Sequence, residues 1–440
     1  MNQLFRPGSS HLLTPLTKIL MTGVLLIPTI QISIANEPIT QEKTQYSHQQ
    51  QTYQQKTENN SFWAKWLLNQ VMSLPLFQAM EKGMLVASDQ QKAMQQSVYN
   101  PELGAFYTDK DDDEYGMMIS QTIDWFDKRS ANSQLGQNNY DLVLLENHLK
   151  IENSLSQALF AYIEFIMSKQ LLEISKKQEV LLTKLSVELR KREAAGDVGQ
   201  IDAEMAYLSL SQNLQQISLT EIRYRRASAQ LIQSIGSSRI AAHPKTSVWF
   251  NNINANEVSK HLNTGYKIEY AQKQLDESIS HSKIALLNKK VNPTIGLGAG
   301  RDGDENTILF EISIPLNVLN TFSSEYSAAL HKVNQSEFEL KEDQRLVKND
   351  IEQSFNNYTQ LKARVLSWQK LMGNRLKNSE KLLKRQWKSG DISTSNYLFA
   401  LKQRTDALVA NIELKGEMQK AWVEWLLASS QIKDWLYNLK

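Results

Sequence analysis

Residues 191–202 read KREAAGDVGQID, and residues 388–396 read KSGDISTSN. In both stretches an amphipathic segment runs into Gly-Asp-(Val/Ile), turns, and a second amphipathic segment runs out. Gly196 and Gly390 suit the left-handed residue that ends a helix, where a Cβ is disfavoured. Three residues later, Gly199 and Ser393 fall where the next helix needs its N-cap. Ile392 and Tyr397 then occupy the N′ and N4 positions of a hydrophobic staple. The pattern predicts the tips of two long helical hairpins.

Other landmarks recur at nearly the same offset. Asn100-Pro101 returns as Asn292-Pro293, Ile119-Ser120 as Ile312-Ser313, and Gly196-Asp197 as Gly390-Asp391, at shifts of 192, 193 and 194 residues. A period this long excludes a solenoid and implies two large related halves. Each half reads helix, strand, strand, long helix, tip, helix. The expected boundaries are 61–240 for the first repeat and 241–440 for the second.

The strands show period-2 alternation with one apolar face. Leu103, Ala105 and Tyr107 alternate, then Tyr115, Met117, Ile119 and Ile123, across the acidic turn DKDDDEYG. The second half matches with Ile295, Leu297 and Ala299, the turn RDGDEN, then Ile308, Phe310, Ile312 and Ile314. Lengths of about nine to eleven residues suit strands that cross a membrane in a barrel. Four strands cannot close a barrel, since about eight are the minimum. Closure therefore requires several copies, and three copies give the pore we expect.

The long helices follow the strands. Val347, Ile351, Phe355, Tyr358, Leu361, Val365, Trp368, Met372 and Leu376 step by three and four. A continuous helix over 323–388 would be roughly 100 Å long, and its counterpart runs over 130–194. Such helices must pack side by side as a coiled-coil-like tube. The outgoing helices are expected over 200–235 and 393–439, with Trp422, Trp425, Trp435 and Tyr437 on a core stripe. Single shorter helices are expected over 62–98 and 256–291.

Composition narrows the function. There is no cysteine, the seven histidines lack metal-ligand spacing, and the formal charge is only +2. These exclude a disulfide framework and argue against zinc and nucleic acid. Residues 1–35 read as a secretory signal, with Arg6 and Lys18 before an apolar core and the small-x-small site Ser33-Ile34-Ala35. Residues 36–60 are rich in Gln, Thr and Ser and read as a flexible arm. Gly296, Gly298 and Gly300 imitate a dinucleotide loop, but they lie inside a strand that is followed by another strand and read as small residues on one face of a tightly curved sheet. The acidic run Asp111–Glu114 reads as a solvated loop. No catalytic constellation and no cofactor site is legible.

The paired landmarks resemble those of the TolC-type outer-membrane efflux family over the whole mature chain. The carrying residues are Asn-Pro before each first strand, Ser120-Gln121 opening the first long-helix region, and Ser313-Ile314-Pro315-Leu316 in the second copy. The tips Ala195-Gly196-Asp197-Val198 and Ser389-Gly390-Asp391-Ile392 complete the set. The second half, NPTIGLGAGRDGDENT followed by SIPL, looks most like the metal-cation efflux branch, although Thr122 and Asp124 depart from the family pattern. The resemblance implies a mainly α fold with a small β part, built as duplicated helical hairpins that form a periplasmic tube. It implies a homotrimeric β-barrel, four strands per chain, among outer-membrane lipid. It also implies a periplasmic adaptor and an inner-membrane pump as partners. The tips Gly196, Asp197, Val198, Gly390, Asp391 and Ile392 would dock the adaptor. Asp202 and Glu204, with Asp197 and Asp391, would set a cation-favouring potential at the periplasmic mouth, while Asp202 also suits a helix N-terminus. The same tube would serve type I secretion of proteins or peptides, and a soluble coiled-coil scaffold is the reading from another class.

Overall fold

The computed structural model describes residues 60–109, 113–240, 243–373 and 375–439. The expected signal and almost all of the Gln-rich arm lie outside these residues, as do Asp111 and Asp112 of the acidic turn. The described chain is mainly helical. Its first half runs α1 (Asn60–Met72), α2 (Pro75–Met94), β1 (Glu102–Thr108), β2 (Glu114–Thr122), α3 (Lys128–Ala194) and α4 (Gln200–Ile235). A 3₁₀ turn, Thr246–Trp249, follows. The second half runs α5 (Ala255–His261), α6 (Tyr266–Asn288), β3 (Thr294–Asp302), β4 (Glu305–Ser313), α7 (Ser323–Met372), α8 (Arg375–Lys388), α9 (Thr394–Ala428) and α10 (Ile432–Asn438).

All four strands form one antiparallel sheet in the order β1-β2-β3-β4. The central β2–β3 pairing therefore joins the two halves. Register places Leu103, Met117, Ile119, Leu297, Phe310 and Ile312 on one face, and each is more than half exposed. The opposite face is crowded with glycine. Gly116 and Gly300 pair directly, and a Cβ on Gly116 would lie 2.7 Å from the Ala299 carbonyl oxygen. One on Gly300 would lie 2.6 Å from that of Tyr115. The glycines that imitate a dinucleotide loop are thus the condition for close coiling of the sheet.

Four helix expectations need correction. The segment 62–98 is two helices, because Pro75 opens α2 and drives Leu74 to an extended ψ of 147°. The segment 256–291 is also two, separated at Gly265, whose φ of 118° is open to glycine alone. The helix expected over 323–388 stops at Met372 and resumes at Arg375, with Gly373, a poor helix former, at the break. The last helix ends at Ala428. Ser430 takes a left-handed φ of 57°, and the Gln431 amide donates back to Leu426 O at 2.7 Å. That is the 6→1 bond of a helix-ending Schellman turn, made here without glycine. Ser120 and Gln121 belong to β2 rather than to the start of a helix, and α7 begins seven residues beyond Leu316. Ile123 and Ile314 lie just past their strands, and β1 has only seven residues. Tyr437 is exposed and leaves the stripe that Trp422 and Trp425 occupy.

Two separate cores hold the helices. The larger surrounds Trp63, Tyr162, Trp249, Tyr358 and Trp422 with Leu155, Leu159, Ile351 and Leu426. Trp63 stacks obliquely on Tyr162 at 5.4 Å and meets Trp249 edge-on at 5.9 Å. The smaller core lies toward the tips, where Leu182, Leu185 and Leu189 of α3 meet Ala206 and Leu210 of α4. Trp387, Tyr397, Leu398 and Leu401 complete it from the second hairpin.

Candidate functional site: the hairpin tips

Both tips are built by one backbone device. In the first, Gly196 has φ of 76°; its amide donates to Glu193 O at 3.0 Å and the Asp197 amide to Arg192 O at 2.8 Å. In the second, Gly390 has φ of 79°, with Gly390 N to Trp387 O at 3.3 Å and Asp391 N to Gln386 O at 2.9 Å. These are the paired bonds of a Schellman turn, and they satisfy the last carbonyls of α3 and α8. A Cβ on either glycine would meet open space. Glycine is needed there for its backbone angle, not for room.

The outgoing helices then start on Gly199 and Ser393, both extended. Ser393 Oγ accepts from the Asn396 amide at 3.2 Å. Ile392 and Val198 are half-buried against the tip core that contains Tyr397, where Ile392 packs as its staple position requires. Gly196, Asp197, Gly390 and Asp391 remain exposed.

The tips also meet each other. Ser395 Oγ, on the first turn of α9, donates to Asp202 Oδ1 on the first turn of α4 at 3.2 Å. Asp202 is therefore a bridge between hairpins as well as an acid at a helix N-terminus. Glu204 is exposed, and Asp391 accepts from Ser389 Oγ at 2.7 Å. Trp387 stacks face to face on Tyr397 at 5.0 Å, donates to Thr394 Oγ1 at 3.3 Å, and lies 4.8 Å beneath the Arg192 guanidinium. Reading the sequence missed this aromatic bracket. Its signal, one aromatic residue three positions before Gly390 and another four positions after Ser393, looks like ordinary helix patterning.

Higher up, the hairpins are joined by charge. Arg223 of α4 donates to Glu164 of α3 at 2.9 Å and to Glu413 of α9 at 3.0 Å, and Lys420 of α9 also reaches Glu164 at 3.0 Å. Burial pushes the Glu164 carboxyl up, but hydrogen bonds from Arg223 and Lys420 outweigh it and hold the group below the ordinary carboxylate range.

No family model matches the chain, and no curated protein does. Solved structures do resemble it. A membrane protein from Pseudomonas aeruginosa is 15% identical over 83% of this chain and 92% of its own, with a TM-score of 0.70. CusC, described as forming a transmembrane channel, is 13% identical over 85% and 92%, with a TM-score of 0.67. The CmeC outer membrane channel of Campylobacter jejuni is 12% identical over 94% and 98%, with a TM-score of 0.67. The fold is that of outer-membrane channel proteins: mainly helical hairpins carrying a small four-stranded sheet.

Proposed function

We propose that this chain is the outer-membrane channel component of a tripartite efflux system, a passive exit duct for metal cations or small toxic compounds. In this reading three copies close a barrel of twelve strands in the outer membrane, and their helices continue as a tube through the periplasm. A periplasmic adaptor meets the tips and connects them to an inner-membrane pump, which supplies the energy. Residues 61–240 and 241–440 are two repeats of one half-wall, and residues 1–35 are the export signal.

The observation that carries the reading is the sheet. Among the described residues it has two open edges, β1 and β4, and an apolar face exposed along its whole width, and the following helix α3 is about 100 Å long. Open edges and apolar faces of this size demand cover. Strands that pair with further copies in lipid satisfy both demands. The tips, at the far end of α3, carry exposed Gly196, Asp197, Gly390 and Asp391 for an adaptor, with Val198 and Ile392 beneath them. Asp202 and Glu204 lie at the same mouth.

The test is direct. The mature protein, extracted from outer membranes, should run as a heat-modifiable trimer and conduct ions in planar bilayers. A monomer that is soluble without detergent and never conducts would overturn the reading. Replacing Gly196 and Gly390 together with valine should abolish efflux while trimers persist in the membrane; wild-type efflux would remove the docking role of the tips. Export of proteins or peptides by a type I system uses the same duct, and the cargo accumulated by a deletion strain separates the two.

A further inference from the structure

The two hairpins turn on the same backbone geometry but differ in charge. The fourteen residues before the first tip, 181–194, carry four cations and two carboxylates. Both carboxylates are occupied: Glu188 by Arg192 at 3.3 Å and Glu193 by the Tyr207 hydroxyl at 2.9 Å. The equivalent stretch before the second tip is α8, RLKNSEKLLKRQWK, with six cations and one carboxylate. That carboxylate, Glu380, is taken by Arg404 of α9 at 2.8 Å.

The cations of α8 are ordered. Lys377, Lys381, Lys384 and Lys388 follow steps of four, three and four, so they fall on one line along the helix. The line is about 17 Å long at the helical rise. Leu376 and Trp387 occupy the buried side. Arg375, Lys381, Lys384, Arg385 and Lys388 are exposed, and among the described residues none of the five enters an ion pair. Cations at the C-terminal turn are favoured by the helix dipole, which accounts for Arg385 and Lys388. It does not account for Lys381, which lies earlier and repels Lys384 and Arg385 at this spacing.

Among the described residues no carboxylate forms an ion pair with these five cations. At the same distance from the tips Asp406 is paired by Lys402 at 2.7 Å, and Asp202 and Asp391 are held in place by the hydroxyls of Ser395 and Ser389. Asp197 and Glu204 stand apart, and α4 has no acid between Glu204 and Glu221. A second copy brings the same set and no matching row.

We propose that the lysine line of α8 is a docking surface for an acidic helix of a protein partner, with carboxylates at steps of three and four. The proposal rests on the reading of the tips as the end that meets an adaptor, and it makes the two tips of each chain inequivalent: the second is addressed by charge, the first by shape. Attraction between rim charges acts mostly on encounter and register, and salt screens it.

The test titrates full-length detergent-solubilised protein with a helix-stabilised peptide bearing four glutamates at steps of four, three and four, and with its glutamine twin. The glutamate peptide should bind at least about tenfold tighter, and binding should weaken several-fold as salt rises and the Debye length falls below about 10 Å. Lys381→Glu with Lys384→Glu should abolish the preference, as should Lys381→Gln with Lys384→Gln, whereas Arg190→Glu with Lys191→Glu should leave it. Equal binding of the two peptides, or unchanged binding by the α8 variants, overturns the proposal. So does dissociation of the trimer by the α8 variants in light scattering, which would assign the line to a contact between copies. The assay needs no membrane, so a protein that binds the peptide but never conducts would refute the duct and not the surface.

Discussion

Glu152 is buried in α3, and its carboxylate accepts the backbone amides of Ile432 and Lys433 at 3.0 and 3.2 Å. It caps α10 from a distant part of the chain. Burial pushes its carboxyl above the ordinary range, opposed by those two backbone bonds. A carboxyl raised in this way holds its proton more tightly folded than unfolded. The stability it contributes is therefore complete below the ordinary carboxylate range and is lost as pH rises through the raised value. In denaturation series the wild type should gain stability relative to Glu152→Gln as pH falls toward the ordinary carboxylate range. Glu152→Ala, which leaves the first amides of α10 without a partner, should cost about 1–2 kcal/mol in a denaturation series. At the tips the argument concerns angles. Gly196→Ala and Gly390→Ala should each destabilise by about 1 kcal/mol, because a Cβ is disfavoured at left-handed φ although nothing crowds it. Gly196→Asn should cost less, and comparative unfolding of the three variants reads the difference.

The sheet and the hairpins obey different rules. Curvature in the sheet depends on Gly116 and Gly300, which face each other across β2 and β3. Gly116→Ala or Gly300→Ala places a methyl group against backbone, which cannot yield as a flexible side chain can. Each should flatten the sheet and sharply lower the yield of heat-modifiable trimer, while far-UV circular dichroism keeps its helical signal. Between the hairpins, Arg223 holds Glu164 and Glu413 at once. Its side chain is 38% exposed, so solvent screens the pairs and Arg223→Ala should cost only about 0.5–1 kcal/mol. A double-mutant cycle with Glu413→Ala should recover most of that as coupling. Because the Glu164 carboxyl is held low, this contribution is present at neutral pH and is lost as pH falls through the carboxylate range.

At the scale of the whole molecule, the unfinished sheet governs what the protein can be. Among the described residues β1 and β4 each present one unpaired edge, and no helix among them is long and apolar enough to cross a membrane. The chain has no cysteine, which makes cross-linking unambiguous. Single cysteines scanned through β1 around Ala105→Cys and through β4 around Ile308→Cys should, in pairs of matching register, give covalent trimers under oxidation. A covalent ladder that ends at dimers would exclude the three-copy barrel.

Local rules read from the sequence reach far in this protein. The strands, the tips and the span of α3 and α4 follow from alternation, helical spacing and glycine placement, each of which acts within a few residues. Pro75 and Gly265 also wrote their helix breaks into the sequence, although the apolar pattern running through them masks both. Other features come from contacts between distant segments. Ser430 is held left-handed in a turn that no glycine announces, with α10 beyond it fastened by Glu152 from 280 residues away. The bridge from Ser395 to Asp202 spans 193 residues, and the stack of Trp387 on Tyr397 needs the tip to close first. The lysine line of α8 was visible as spacing alone. Only the folded arrangement decides that its single acid is already taken and that, among the described residues, no carboxylate pairs with its exposed cations, because a charge is left unpaired by what surrounds it in space and not by its neighbours in sequence.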